Sequence, residues 1–243
     1  MKRDARAVLR ANSYPGRGII LGRGEDNACA VAVYFIMGRS ENSRNRVFEE
    51  TDDGIRTRAF DPARLTDPSL VIYHPVRAAD GRTIVTNGDQ TDTIAAFLRD
   101  GRDFRDALRT RAFEPDGPIW TPRISGILER DGSYSLSILK SVQGDSSLCC
   151  RHFFEYDAPI PGLGHLLHTY LRDGDPVPSF EGEPIPVGIE TAGGLEKYAR
   201  EIWDALDPQN KVALMAREIE IASGAWRQII INRYGGESCQ SLN

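Results

Sequence analysis

The chain has 243 residues and a mass of 27.0 kDa, is 40% hydrophobic and 27% charged, and carries a formal net charge of -5 with a pI near 5.5. That length and apolar content allow a substantial buried core, while the acidic balance argues against general polyanion binding, which needs a basic field over a whole face. Any anion held is expected to be small and held locally.

The start, "MKRDARAVLRANSYPGRG", is basic but lacks a following apolar run, so it does not read as a secretory signal, and no later segment is long enough to span a bilayer. A cytoplasmic protein is expected. Cys29, Cys149, Cys150 and Cys239 lack the spacing of a disulfide framework, and reduced thiols are the expected state. In chain order, "RGIILG" and "ACAVAVYFIM" read as strands joined through "RGEDN", and "SLVIYHPVRA" with "GRTIVT" reads as a hairpin around Asp80-Gly81. The period then lengthens. In "TDTIAAFLRDG", Thr91 or Asp92 can cap, Ile94, Phe97 and Leu98 share a face and Gly101 ends the helix; "DFRDALRTRAF" reads as a second helix capped by Asp103. "RISGILER" and "SYSLSILKS" are strands around Asp131-Gly132, after which Gly144 to Gly188, with prolines recurring from Pro159 to Pro186, reads as mostly irregular chain. Leu195, Tyr198, Ile202 and Leu206 trace a helical face, a further helix is expected through Val212 and Met215, and "WRQIIINRY" is the last expected strand. The pattern favours a single α+β domain over residues 1–243, with helices covering largely antiparallel sheets.

Three clusters could carry chemistry. "FIMGRSENSRNRVF" concentrates Arg39, Arg44 and Arg46 with Ser40, Asn42, Ser43 and Asn45 where a strand ends. Guanidinium groups present paired planar donors suited to phosphate or carboxylate, although such a loop could equally be solvated, its arginines paired with Glu41, Glu49 and Glu50. "TNGDQTDTI" runs through Asn87-Gly88 into a helix start, where converging backbone N–H groups can hold an anion or simply form a turn. "RTRAFEPDGPIWTPR" sets Glu114 and Asp116 among prolines, aromatic rings and arginines, surroundings that compete over the ionisation of a general acid or base; a rigid connector is the plainer reading. Cys149, Cys150, His152, His165 and His168 could suggest zinc, but vicinal cysteines suit such a site poorly and no metal or other cofactor is expected.

Taken together, "YPGRG", "GRSENSRNRVF", "TNGDQTDTI", the Phe-Glu of "RAFEPDG" and "TPRISGIL" occur in the same order as the matching segments of the archaeal-type IMP cyclohydrolases and their bacterial relatives, and "GHLLHTY" and "PSFEGEP" extend the likeness. The resemblance implies a four-layer αββα sandwich similar to the N-terminal-nucleophile hydrolases, but without their terminal nucleophile. It implies closure of 5-formamidoimidazole-4-carboxamide ribotide to IMP with loss of water. Tyr73, Glu114 and Arg46 are the implied catalytic residues, Arg46 also meeting the phosphate. Arg17, Arg39, Asn87, Gly88 and Arg123 are the implied substrate contacts, and His165, read as packed in a loop closing over the sheet, is a further candidate contact. The arginine loop looks longer than in the archaeal pattern and a residue is inserted between Glu114 and Thr121, which leaves Arg44 as the alternative to Arg46. The implied partner is a purine ribotide monophosphate, with no nucleic acid or membrane partner, and the family's habit of assembling makes a homo-oligomer compatible. Two rivals remain: a purine-nucleotide binder without turnover, and an amide hydrolase of the same architecture that would expose a nucleophile such as Ser13.

Overall fold

The computed structural model describes residues 2–242. Five helices occur among them: α1 Ala5–Arg10, α2 Glu41–Arg44, α3 Gln90–Arg99, α4 Phe104–Arg109 and α5 Leu195–Ala205. The strands are β1 Arg17–Arg23, β2 Cys29–Met37, β3 Arg46–Thr51, β4 Gly54–Ala59, β5 Val76–Ala79, β6 Arg82–Thr86, β7 Arg123–Leu128, β8 Tyr134–Val142, β9 Asp145–Tyr156, β10 Leu163–His168, β11 Ile185–Gly188, β12 Lys211–Glu220, β13 Trp226–Asn232 and β14 Gly236–Leu242. They form two seven-stranded sheets, ordered β11-β10-β1-β2-β12-β13-β14 and β3-β4-β5-β6-β7-β8-β9. Every strand pairing within them is antiparallel. The fold class is therefore α+β, as composition and patterning suggest.

Three apolar clusters separate the layers. Ile19, Leu21, Tyr34 and Met215 of the first sheet meet Phe48, Val76, Ile124 and Leu136 of the second in one core. On the far face of the first sheet, Ile20, Val33 and Leu214 pack against Leu9 of α1 and Tyr198 and Ile202 of α5. Ile84, Ile127 and Leu139 of the second sheet pack against Ile94 and Leu98 of α3 and Phe104 and Leu108 of α4. The α3 and α4 helices lie where the lengthened period puts them, and the Asp103 side chain accepts from Asp106 N at the α4 cap.

Elsewhere the structure departs from the sequence reading. Val212 and Met215 lie on β12, not a helix; this strand is buried on both faces, so its apolar residues run together instead of alternating, and periodicity cannot separate such a run from a buried helix. The proline-rich stretch contains β9, β10 and β11, with its prolines in the connections and on β11, an edge strand where the missing N–H is tolerated. Of "SLVIYHPVRA" only the last three residues are strand, at the start of β5; Val71 and Tyr73 are buried in the preceding loop. The β3–β4 hairpin, turning at Asp52-Asp53, and β14 are additions. No described helix is long and apolar enough to cross a membrane.

Candidate active site

Strand direction brings the three clusters together. β1, β3 and β7 begin, and β2, β6 and β10 finish, at one end of the paired sheets, with Arg17 opposite Ile36 and Gly18 opposite His168 in register. A cavity of about 360 Å³ opens there, lined by Arg17, Arg39, Ser43, Arg46, Glu114 and Tyr170 among others. Gly16 lets the chain enter: its φ is +79°, and a Cβ there would lie 2.2 Å from Thr169 Oγ1 and 2.5 Å from the Tyr170 ring.

Glu114 is 2% exposed and accepts from Arg17 Nη2 at 2.8 and 2.9 Å and from Asn87 Nδ2 at 3.4 Å. Its loop is fixed on both flanks. Glu114 N donates to Thr121 O at 2.9 Å, and the Thr121 hydroxyl and amide both reach the Asp116 carboxylate. Burial raises the Glu114 pKa above the ordinary carboxylate value, against the opposing charges of Arg17 and Arg123. Burial is the largest influence on Arg17 and works against its charge, but Glu114 together with the phenols of Tyr170, Tyr73 and Tyr34 outweighs it and holds Arg17 firmly protonated. The carboxyl is thus a proton acceptor of increased basicity, oriented by a fixed cation.

Arg46 is also 2% exposed, yet none of its nitrogens is within ion-pairing distance of a carboxylate among the described residues. Nε donates to Ser43 O at 2.7 Å, Nη2 makes a long contact to Met37 O at 3.5 Å, and Nη1 has no partner. Burial lowers its pKa, with Arg17 adding repulsion. A buried guanidinium with a free donor is costly unless something anionic or strongly accepting completes it. Arg17 Nε is a second buried donor without a partner beside the same cavity.

The other residues singled out from sequence take varied positions. Arg39 lies at the rim, over the Tyr14 ring at 4.7 Å and paired with Asp173 at 2.7 Å. Arg44 turns away, donating to Gly38 O at 2.9 Å and Asn210 Oδ1 at 3.1 Å. It lines a separate cavity of about 410 Å³ behind α2, where Arg64 pairs with Glu41 and Asp61. Asn87 stands behind Glu114 and is held by Ile124 N, Pro122 O and Gln90 Nε2. Gly88 supports that wall from further back: its N–H donates to Thr86 Oγ1, and a Cβ would meet Arg123 Nη1 at 2.4 Å. Arg123 does not line the cavity, because Asp89 and Gln90 hold it, each at 2.6 Å. Tyr73 is not among the residues that line the cavity; it is 6% exposed, its hydroxyl is 2.8 Å from that of Tyr34, and it lies in the field of both Arg17 and Arg46.

His165 is not brought to this cavity. It bonds the Tyr134 hydroxyl through Nδ1 at 2.8 Å and stacks on Tyr156 at 3.9 Å between the sheets. Cys150 and His152 meet at 3.2 Å on β9, apart from His165 and His168 on β10. Among the described residues no three His, Cys, Asp or Glu side chains form a group able to hold a metal. Sequence reasoning missed Tyr14 and Tyr170, which stack at 5.6 Å on the cavity wall, and the Tyr170 hydroxyl bonds Thr121 at 2.8 Å. Their signal was present, since both sit inside motifs already singled out, "YPGRG" preceded by serine and "GHLLHTY".

The family model for IMP cyclohydrolase-like proteins matches residues 14–223. The chain is 30% identical over 202 residues to a protein named IMP cyclohydrolase from Methanopyrus kandleri, covering 74% of this chain and 96% of that protein. A protein of the same name from Halobacterium salinarum is 30% identical over 131 residues, 53% of this chain and 63% of its own length. One from Methanococcus maripaludis is 34% identical over 128 residues, covering 50% and 61%. The matched span contains Arg17, Arg46, Glu114 and Tyr170 together, and the chain belongs to the IMP cyclohydrolase-like family.

Proposed function

We propose that this chain is an IMP cyclohydrolase, closing 5-formamidoimidazole-4-carboxamide ribotide to IMP. The carboxamide nitrogen adds to the formyl carbon and one of its protons passes to the formyl oxygen. That oxygen then leaves as water with a second proton, from the formamido nitrogen. Both reacting groups sit on one imidazole, so the protein's task is to hold the reactive conformer, move protons and stabilise charge on oxygen. Glu114 takes the carboxamide proton, its basicity increased by burial and its direction set by Arg17 and Asn87. Arg46 supplies its free Nη1 to the substrate's anionic part, with Arg39, Ser40 and Ser43 at the rim beside the phosphate. Tyr73, in the field of both guanidinium groups, donates to the departing oxygen.

The observation that carries this reading is the meeting of a buried, Arg-oriented carboxyl and an incompletely bonded buried guanidinium in one cavity. We further read the layered sheets as the architecture of the N-terminal-nucleophile hydrolases and the whole chain as one catalytic unit working in the cytoplasm. The support is two facing antiparallel sheets with helices on their outer faces. The test is incubation of chelator-treated protein with the formamido ribotide, following IMP by absorbance. Turnover is expected; binding without turnover would leave a nucleotide-binding protein instead.

A further inference from the structure

Tyr34 lies in the middle of β2, fully buried, opposite Ile19 of β1 and Met215 of β12, with its ring stacked on Phe48 at 5.7 Å. A tyrosine there is unusual, because every neighbour in that core cluster asks for an apolar side chain. Its hydroxyl has one hydrogen-bond partner among the described residues, the Tyr73 hydroxyl at 2.8 Å. Tyr73 in turn is pinned through its backbone. Its N–H donates to Thr57 Oγ1 at 2.8 Å, and its carbonyl accepts from Thr57 N at 2.8 Å. Both phenols lie in the field of Arg17 and Arg46.

The direction of the phenol pair follows from burial. Two hydroxyls share one contact, so one proton lies in it and the other must point elsewhere. Were Tyr73 the donor, the Tyr34 proton would be left in the core with no acceptor, the costlier arrangement for a fully buried hydroxyl. With Tyr34 donating, its proton is satisfied and the proton of Tyr73, the phenol with residual exposure, is free. A phenol that accepts a hydrogen bond is also held in one rotor position, which fixes the direction of its own proton.

We propose that Tyr34 is a positioning residue of the reaction, whose hydroxyl donates to Tyr73 Oη and so aims the Tyr73 proton at the oxygen lost from the formyl carbon. This rests on the cyclohydrolase reading and on the part given there to Tyr73. Tyr34 itself touches no substrate; it acts through its neighbour.

The experiment is a cycle of Tyr34→Phe, Tyr73→Phe and the double variant, read as kcat and KM with the formamido ribotide, with thermal melting alongside. Tyr34→Phe keeps the ring and its stacking, and is expected to lower kcat about tenfold at unchanged KM, the loss of one orienting hydrogen bond. Tyr73→Phe is expected to lose about 10²-fold or more. The double variant should match Tyr73→Phe, because Tyr34 has nothing left to act through. Fluorinated tyrosine placed at position 34, which keeps the shape and donates more strongly, should retain wild-type kcat or exceed it. Wild-type kcat in Tyr34→Phe, independent multiplying losses in the double variant, or a fluorinated protein no better than Tyr34→Phe would each overturn the proposal. Full activity in Tyr73→Phe would overturn it together with the Tyr73 role while leaving the cyclohydrolase reading intact. That reading fails separately if the wild type does not turn over.

Discussion

Replacing Arg46 by Met separates a guanidinium kept for ligand from one kept for the fold. In the free protein the substitution removes one good bond, Nε to Ser43 O at 2.7 Å, and a marginal one at 3.5 Å. Such a bond contributes about 0.5–1.5 kcal/mol net. It also removes a buried donor without a partner, a burden of about 1–3 kcal/mol, and a charge facing no carboxylate. These nearly cancel, so Arg46→Met should unfold within about 1 kcal/mol of wild type, a Tm change of about 2–4 °C, with relief of the buried charge favouring an increase. Ligand binding should behave differently. Two charge-assisted bonds at about 1.5–3 kcal/mol each correspond to a loss of about 10²- to 10⁴-fold in affinity. Thermal melting with and without IMP reads both quantities, because a ligand bound only by the folded state raises Tm with the logarithm of its affinity at a fixed concentration. A variant that melts many degrees lower yet keeps the full IMP-dependent shift would refute the reasoning, making Arg46 a structural residue.

Other expectations follow from the same contacts. Glu114→Gln preserves shape but cannot take a proton, and should lower kcat by about 10²- to 10⁴-fold while still binding IMP. Because burial raises the Glu114 pKa, the base form, and with it activity, should be lost as pH falls through a value above the ordinary 4.5. Arg17→Met removes an opposing charge and should move that limb higher still in a kcat/KM profile. His168, whose pKa burial pushes down to about 4, is neutral in folded and unfolded chains alike above pH 6.5. Between pH 6.5 and about 4 only the unfolded chain takes the proton, so stability should fall by about 3 kcal/mol at most, and urea unfolding across this range should show a shallower slope in His168→Gln. His165→Gln should leave kcat and KM at wild-type values, since its ring bonds Tyr134 away from the cavity.

What could be read from the sequence was set by the range of each interaction. The α4 cap at Asp103 and the α5 face through Leu195, Tyr198 and Ile202 depend on neighbours a few residues apart, and both lie where the pattern puts them. β12 was obscured because sheets on one side and α5 on the other bury both of its faces, a tertiary circumstance with no local signature. The residue types of the site were legible, but their pairing was not. Nothing local distinguishes Arg44, tied to Gly38 and Asn210, from Arg46, with its free Nη1, two positions away in the same loop. Arg123 and His165 looked equally available until Asp89 and Tyr134, distant in sequence, were seen to hold them.

The charges of the cavity explain why an acidic protein can still select an anion. Arg17 is matched by Glu114, Arg39 by Asp173 and Arg123 by Asp89, so three of the four guanidinium groups near the site are already compensated. Arg46 is the one of these four without a carboxylate among the described residues, and it is the deepest. An entering ribotide therefore meets a cation not compensated by any carboxylate, in surroundings where burial has weakened screening, while Arg17 and Arg123 hold geometry in place and Arg39, paired with Asp173, adds only a weaker attraction at the rim. Compensation of Arg17 by Glu114 has a second effect: the carboxylate that must accept a proton is kept from pairing with Arg46, because the nearer guanidinium already occupies both of its oxygens. Anion binding and proton transfer thus use different arginines in one cavity. An Arg17→Met variant should consequently lose rate, read as kcat, more than IMP affinity, read as the IMP-dependent Tm shift, because Glu114 loses the cation that fixes its direction while Arg46 keeps its free donor.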